Sequence, residues 1–464
     1  LHEGSPATAV QIGDPITQKR MTDFLLRARD NGLYSSITDN GAGGLSSSVG
    51  ETAEDTGGAT VYVDRAPVKY HGLEPWEIIV SEAQERMTVA VPPENLDAFM
   101  ALADEWNVEA TDLGDFNDSG FFTIKYGDTT VGRIPMDFLH DGLPTMELNA
   151  KWEPPAIAET PEIRETDLAA DLTNLMKRLN ICSKEYVVRQ YDHEVQGGSV
   201  VKPLCGARND GPSDAAVFRP LLECSEGLVV SNGIVPRYSD IDTYAMASCA
   251  LDEAVRNAVC VGADPDHMAA LDNFCWCDPV QGPHNPDGEL KLGQLVRANQ
   301  ALYDLCVAYG VPLVSGKDSM KNDYRIGDTK ISIPPTVLIS VVAAIPDAAR
   351  AVTMDFKEDG NPVYIVGMTR NELGGSEFAA MKSAWYASVP RVHDPAQARA
   401  CYRGLFEAIN KGYVAACHDL SDGGLGVGVA EMCFAGEIGA HIDLGAVPRE
   451  GCSTDAQVLF SESQ

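Results

Sequence analysis

The 464-residue sequence has no run of about 18 apolar residues, the length a membrane-spanning helix requires. No secretory pattern marks its start. Its twelve cysteines include no Cys-x-x-Cys pair, the nearest spacing being Cys275-Trp276-Cys277. That excludes a paired-cysteine zinc site and a disulfide scaffold, so the cysteines read as reduced core residues of a cytoplasmic protein. Basic residues are scarce: 35 against 68 acidic ones, a formal net charge of −33. Such a surface repels nucleic acid and anionic membranes, so neither is expected as a partner. Phosphate ligands would need divalent cations as mediators. No Ser-His-Asp or Cys-His order points to a nucleophile. A Walker A loop is absent too: the pattern around Gly316-Lys317 requires glycine at 311 and serine or threonine at 318, where Val311 and Asp318 stand.

What is present is ordinary globular material, 44% hydrophobic and 22% charged. At roughly 150 residues per domain the length fits about three domains. The pattern is α+β, of α/β type. Helices are expected at Ile16–Ala28, Glu94–Asp104, Leu172–Leu179, Tyr244–Val261, Leu292–Tyr309 and Pro395–Asn410. Strands are expected at Thr60–Val63, Glu77–Val80, Met87–Val91, His267–Ala270, Val311–Val314, Val337–Ala344 and Val363–Val366, with Glu185–Arg189 extended. Pro154 and Pro155 interrupt the pattern. The expected domains are 1–150, a linker at 151–170, 171–348, and 349–464. The abrupt start at Leu1 reads as a fragment.

An internal repeat organises the chain. TDNGAGGLSSSVGE (38–51) aligns with HDLSDGGLGVGVAE (418–431), placing Asp39 on Asp419, Gly43 and Gly44 on Gly423 and Gly424, and Glu51 on Glu431. The later SEAQ (81–84) falls on SESQ (461–464) at the same offset of 380. Two separated motifs sharing one offset indicate a duplication whose second copy is truncated.

Each glycine turn sets a carboxylate before a helix start. Glycines permit close ligand approach, helix-start N–H groups suit phosphate, and carboxylates suit Mg²⁺. Glu253 and Asn257, four apart on one helix, share a face and can reach one ion. Asp214 and Asp272 end or follow short apolar stretches, where α/β folds bind ligands. Gly316, Lys317, Asp318 and Ser319 read as a compact loop after a strand. His193, beside Asp192, is a lone histidine.

Together VQIGDP (10–15), DNGAGGLSS (39–47), EPWEIIVSEAQERM (74–87), RQYDHEVQG (189–197), LDEAVRNAVCVGADP (251–265), SGKDSM (315–320), ISIPPT (331–336), ELGGSE (372–377) and HDLSDGGL (418–425) resemble phosphoribosylformylglycinamidine synthase. The resemblance runs in order over essentially the whole chain. It implies tandem aminoimidazole ribonucleotide synthetase-like domains: a first B-type domain, a second A-type domain, and part of a second B-type domain. It implies ATP-dependent conversion of formylglycinamide ribonucleotide and glutamine-derived ammonia to formylglycinamidine ribonucleotide, through an iminophosphate. A glutaminase domain or subunit would supply the ammonia. The catalytic histidine would lie in a first A-type domain upstream, making His193 a relic of duplication and this chain inactive alone.

By the same resemblance Gln11, Glu82, Ala83, Gln84 and Ser319 are substrate contacts; Ala83 stands where the family has serine. Asp272, Gly316, Lys317 and Ser421 are nucleotide contacts, with Lys317 replacing an asparagine of the short forms. Asp39 is a magnesium ligand of the catalytic half-site. Asp214, Glu253, Asn257 and Asp419 form the magnesium set of an auxiliary ADP site. The competing reading is a non-catalytic scaffold that holds only that ADP–Mg²⁺.

Overall fold

The computed structural model describes residues 13–463 apart from 69–70, 161–166, 191, 193 and 328. Gln11 and His193 therefore lie outside the described residues. The chain divides into two compact units, Leu1–Met146 and Glu147–Gln464.

In the first unit α1 (Pro15–Asp30) starts with proline at its first turn and ends with Arg27 and Arg29, which complement the helix dipole. Strand β1 (Ser36–Asp39) leads through the first glycine turn into α2 (Leu45–Thr52). Then come β2 (Ala59–Tyr62), α3 (Pro75–Ile79), β3 (Met87–Ala90) and α4 (Leu96–Glu105). Strands β4 (Gly114–Phe116), β5 (Phe121–Tyr126) and β6 (Thr129–Pro135) and helix α5 (Met136–Asp141) complete the unit. β3 pairs antiparallel with β1, and β4-β2-β5-β6 form a second sheet. Phe24 of α1 meets Phe99 of α4 edge to face, with ring centroids 5.0 Å apart.

The second unit opens with α6 (Leu168–Leu175) and α7 (Glu185–Val188). Its strands are β7 (Ser199–Val201), β8 (Leu204–Cys205), β9 (Gly211–Pro212), β10 (Ala216–Phe218) and β11 (Gly227–Gly233). Helix α8 (Thr243–Cys260), β12 (Met268–Cys275), α9 (Gly288–Tyr309) and β13 (Leu313–Ser319) follow. Next are the β14 (Asp323–Ile326)–β15 (Thr329–Ser332) hairpin and β16 (Thr336–Ile345). A six-stranded sheet runs β13-β12-β16-β11-β10-β7, parallel only between β12 and β13, which α9 connects. β16 alternates: Val337, Ile339, Val341, Ala343 and Ile345 are all buried. Each of the buried valines and isoleucines stabilises the core by about 1.5–3 kcal/mol. Helix α8 carries alanine, serine and cysteine at most core positions and is buried along most of its length.

Beyond the sheet lie β17 (Thr369–Arg370), α10 (Glu377–Met381), α11 (Pro395–Asn410), α12 (Gly424–Gly436), β18 (Arg449–Glu450) and α13 (Asp455–Phe460). The duplication is visible here. α1 and α11 begin and end 380 residues apart. Each returns through the same bond: Leu33 N–H donates to Ala28 O (3.0 Å), and Tyr413 N–H to Ala408 O (2.9 Å). α3 and α13 start 380 apart, each with a capping box, Glu74 with Glu77 and Thr454 with Gln457.

Several expected elements differ. Glu77–Val80 is not a strand: the Pro75 start and the capping box fold it into α3. Glu185–Arg189 is not extended but forms the single turn α7. Val363–Val366 forms no strand, having no ladder partner among the described residues. β13 begins at Leu313, and Gly316 to Ser319 continue it instead of forming a loop. Asp272 lies within β12, paired on both sides, and not at a strand end.

Candidate functional site

Four of the residues expected to bind magnesium lie in the second unit, and two of them, Asp214 and Asp419, are in direct contact. Asp214 lies on the connection between β9 and β10, and Asp419 opens the second glycine turn. The Asp419 N–H donates to Asp214 Oδ1 (3.0 Å). Glu253 and Asn257 face the end of β11 from one side of α8: Glu253 Oε2 accepts from Ile234 N–H (2.9 Å), and Asn257 Nδ2 donates to Asn232 O (3.1 Å). Arg256, between them in sequence, brings Nη2 to 3.3 Å from Asp419 Oδ2. Its Nη1 binds Asp252 Oδ2 (2.6 Å). Asp252 also accepts from the hydroxyls of Tyr309 and Tyr402, tying α8 to α9 and α11.

His418 was not singled out in the sequence, yet it sits at the centre. Nδ1 is 2.8 Å from Asp214 Oδ1, and Nε2 is 2.9 Å from Glu431 Oε2. Asp214, His418 and Asp419 place ligand-capable atoms within 4.8 Å of one another. Burial pushes the Glu253 carboxyl up to about 8, with Asp419 adding and Arg256 opposing. Burial also raises Asp419, with Asp214 adding against Arg256. For His418 burial disfavours the charge, but Asp214 and Glu431 outweigh it and hold the imidazole well above its ordinary value.

Two oxygens of this cluster, Asp214 Oδ2 and Asn257 Oδ1, are buried and accept no hydrogen bond. A buried acceptor without a donor costs about 1–3 kcal/mol. A hard cation with oxygen preference satisfies such atoms, so the donor set fits Mg²⁺.

The two glycine turns share a further contact. Glu82 Oε1 accepts from Gly43 N–H (3.3 Å), and Glu462 Oε1 from Gly423 N–H (2.8 Å). A carboxyl group of the chain itself thus occupies one turn N–H in each copy, which the sequence alone leaves open for phosphate. Gly44 and Gly424 hold φ of 56° and 66°. A β-carbon on either would strike the Ser81 or Ser461 carbonyl oxygen, at 2.2 and 2.4 Å. The copies differ in burial: Asp39 is exposed, whereas Asp419 is buried.

Asp272 and Gly316 are cross-strand neighbours on β12 and β13. Burial pushes Asp272 up, its own backbone opposing and Asp318 adding. The register row Gly233–Ile339–Asp272–Gly316 crosses four strands, so Gly316 stands about 14 Å from Gly233 beside the Asp419 cluster. Lys317 is exposed on β13, and Ser319 Oγ is 3.0 Å from Asn322 Nδ2. Ser421 accepts from Gly424 N–H (2.9 Å) within the turn. Gln84 Nε2 reaches Glu82 O at 3.4 Å, and Ala83 is half-buried. Among the described residues no helix is long and apolar enough to cross a membrane.

The family model for the C-terminal domain of AIR synthase related proteins matches residues 1–127 and 358–464, and the N-terminal domain model matches 212–345. A phosphoribosylformylglycinamidine synthase subunit PurL from Thermoplasma volcanium is 34% identical over 99% of this chain and 58% of its own length. One from Thermococcus sibiricus is 33% identical over 99% of the chain and 61% of its own length. The chain thus spans about three fifths of these relatives. Among solved structures, T. maritima PurL complexed with ADP is 25% identical with a TM-score of 0.57, covering 74% of this chain and 52% of that one. The same protein complexed with FGAR gives 0.55 at 25% identity, covering 76% and 52%. The twice-matched C-terminal domain, the intervening N-terminal domain and these relatives place the chain in the phosphoribosylformylglycinamidine synthase family of AIR synthase related proteins.

Proposed function

We propose that this chain is part of a phosphoribosylformylglycinamidine synthase, and that its Asp419 cluster holds a magnesium-bound nucleotide. The observation that carries this reading is the close approach of Asp214, His418 and Asp419, with Glu253 near enough to feel the Asp419 charge and with buried oxygens of Asp214 and Asn257 lacking donors. Mg²⁺ at these residues would neutralise phosphate charge that a chain of net charge −33 otherwise repels. Ser421 would contact the nucleotide. The burial of Asp419 favours a nucleotide retained in place over one that turns over.

The second nucleotide, the reacting ATP, would meet Asp272, Gly316 and Lys317. In the first unit Glu82, Ala83 and Gln84 would contact formylglycinamide ribonucleotide, and Asp39 would ligate the catalytic magnesium. In that reaction the amide oxygen takes the γ-phosphoryl group as an iminophosphate, and ammonia from a glutaminase partner then displaces phosphate. Twelve free cysteines support a cytoplasmic setting.

Glu253→Ala and Asp419→Ala each test the site. Nucleotide that copurifies with the protein should fall about ten-fold, equivalent to about 1.4 kcal/mol, and the melting temperature should drop with it. A variant that keeps both contradicts the reading. For the reaction, the full-length protein is supplied with ATP, Mg²⁺, ammonia and formylglycinamide ribonucleotide. Substrate-dependent ADP release is expected, and its absence would sink the synthase assignment.

A further inference from the structure

The two glycine turns are internal controls for one another, and they differ at the residue before the aspartate. The first copy has Thr38 there, with Glu51 exposed; the second has His418, with Glu431 within reach. Carboxylates offer only acceptors, so His418 donates from both ring nitrogens, to Asp214 Oδ1 and Glu431 Oε2. Asp214 Oδ1 then accepts twice, from His418 and from Asp419 N–H. Its partner Oδ2 is the buried atom with no donor.

We infer that His418 is a positioning residue for the cation site: clamped between Glu431 and Asp214, it saturates one oxygen of Asp214 and thereby presents the other, Oδ2, as a single fixed ligand. This rests on the cation reading of the Asp419 cluster. Without the clamp, Asp214 can turn about its last torsion and exchange its two oxygens, and the Asp419 N–H alone opposes that. Glu431 acts one step further out, holding the ring. Among the described residues the first copy, with Thr38 and an exposed Glu51, shows no such clamp. Loss of an outer partner that orients a metal ligand lowers metal affinity about 10–100-fold.

The test uses Mn²⁺ alone as probe, without nucleotide, followed through the electron paramagnetic resonance signal of free Mn²⁺. Asp419→Asn defines the component of binding that belongs to this site. His418→Thr installs the residue that the first copy uses. Val341→Ala, a core change in β16, controls for lost stability, and melting temperatures are measured for all. The expected result is a dissociation constant raised about ten-fold or more by His418→Thr and changed less than about two-fold by Val341→Ala. His418→Thr within about two-fold of the unaltered protein, or Val341→Ala losing as much, overturns the inference. If Asp419→Asn abolishes a component that His418→Thr preserves, the role of His418 alone fails. If Asp419→Asn removes no binding, the cation reading fails and takes the inference with it.

Discussion

A β-carbon at position 316 would lie 2.0 Å from Asp272 Oδ1. A side chain there would displace a neighbour's carboxylate, since residues 272 and 316 face each other across β12 and β13. Gly316→Ala should cost about 1–3 kcal/mol in urea unfolding, as overpacking does. Adding Asp272→Gly should recover most of that loss, a coupling of the size found for residues in contact. Strictly additive losses would refute the steric account. At this scale much of the site was legible. Asp419 stood out through its repeat and Glu253 and Asn257 through their spacing, and the structure sets Asp419 against Asp214. His418 and Glu431 lay inside the aligned motif at its two ends, and Arg256 lay between the two α8 ligands. Their roles are not legible in sequence because a histidine's importance depends on which carboxylates face it, and Asp214 comes from a distant segment.

The segment after α13 shows how one element carries the charge balance of its neighbours. Glu462 accepts from Gly423 N–H, Glu377 N–H (2.9 Å) and the Tyr238 hydroxyl (2.9 Å). Burial and then the charge of Asp422 push Glu462 up to about 8. Burial and then Glu377 push Asp422 up to about 7. Both folded values exceed the unfolded ones, so the folded state binds more protons across the interval. Stability is fully present below the unfolded values near 4 and is lost as pH rises through about 7 and 8. Glu462→Gln keeps an acceptor but cannot ionise. It should flatten the decline by up to about 1.4 kcal/mol per pH unit, one proton's worth. Urea midpoints between pH 5 and pH 8.5 would read this, and an unchanged slope would refute it. Element boundaries were legible where local chemistry is strong: Asp394-Pro395 and Gly412 bracket α11. They were illegible where a short, mostly apolar run suits either state. Glu77–Val80 becomes helix through its cap, and Val363–Val366 lacks the partner that makes an apolar run a strand.

For the whole molecule the dominant quantity is its net charge of −33. Like charges repel in the compact state and are screened with a Debye length of about 10 Å at 0.1 M salt. Monovalent salt should therefore raise the melting temperature of the protein and of its Asp419→Asn variant alike. Mg²⁺ at matched ionic strength acts differently, because only the folded state brings Asp214 and Asp419 together with the buried, donorless oxygens of Asp214 and Asn257. A ligand at a hundred times its dissociation constant stabilises by about 2.7 kcal/mol. The unaltered protein should gain an increment of that order from Mg²⁺ beyond the salt effect. Asp419→Asn should keep the salt response and lose most of the increment. Equal increments in both proteins would mean that Mg²⁺ acts on the diffuse surface charge, and the acidity would then serve repulsion and solubility without a built site behind it.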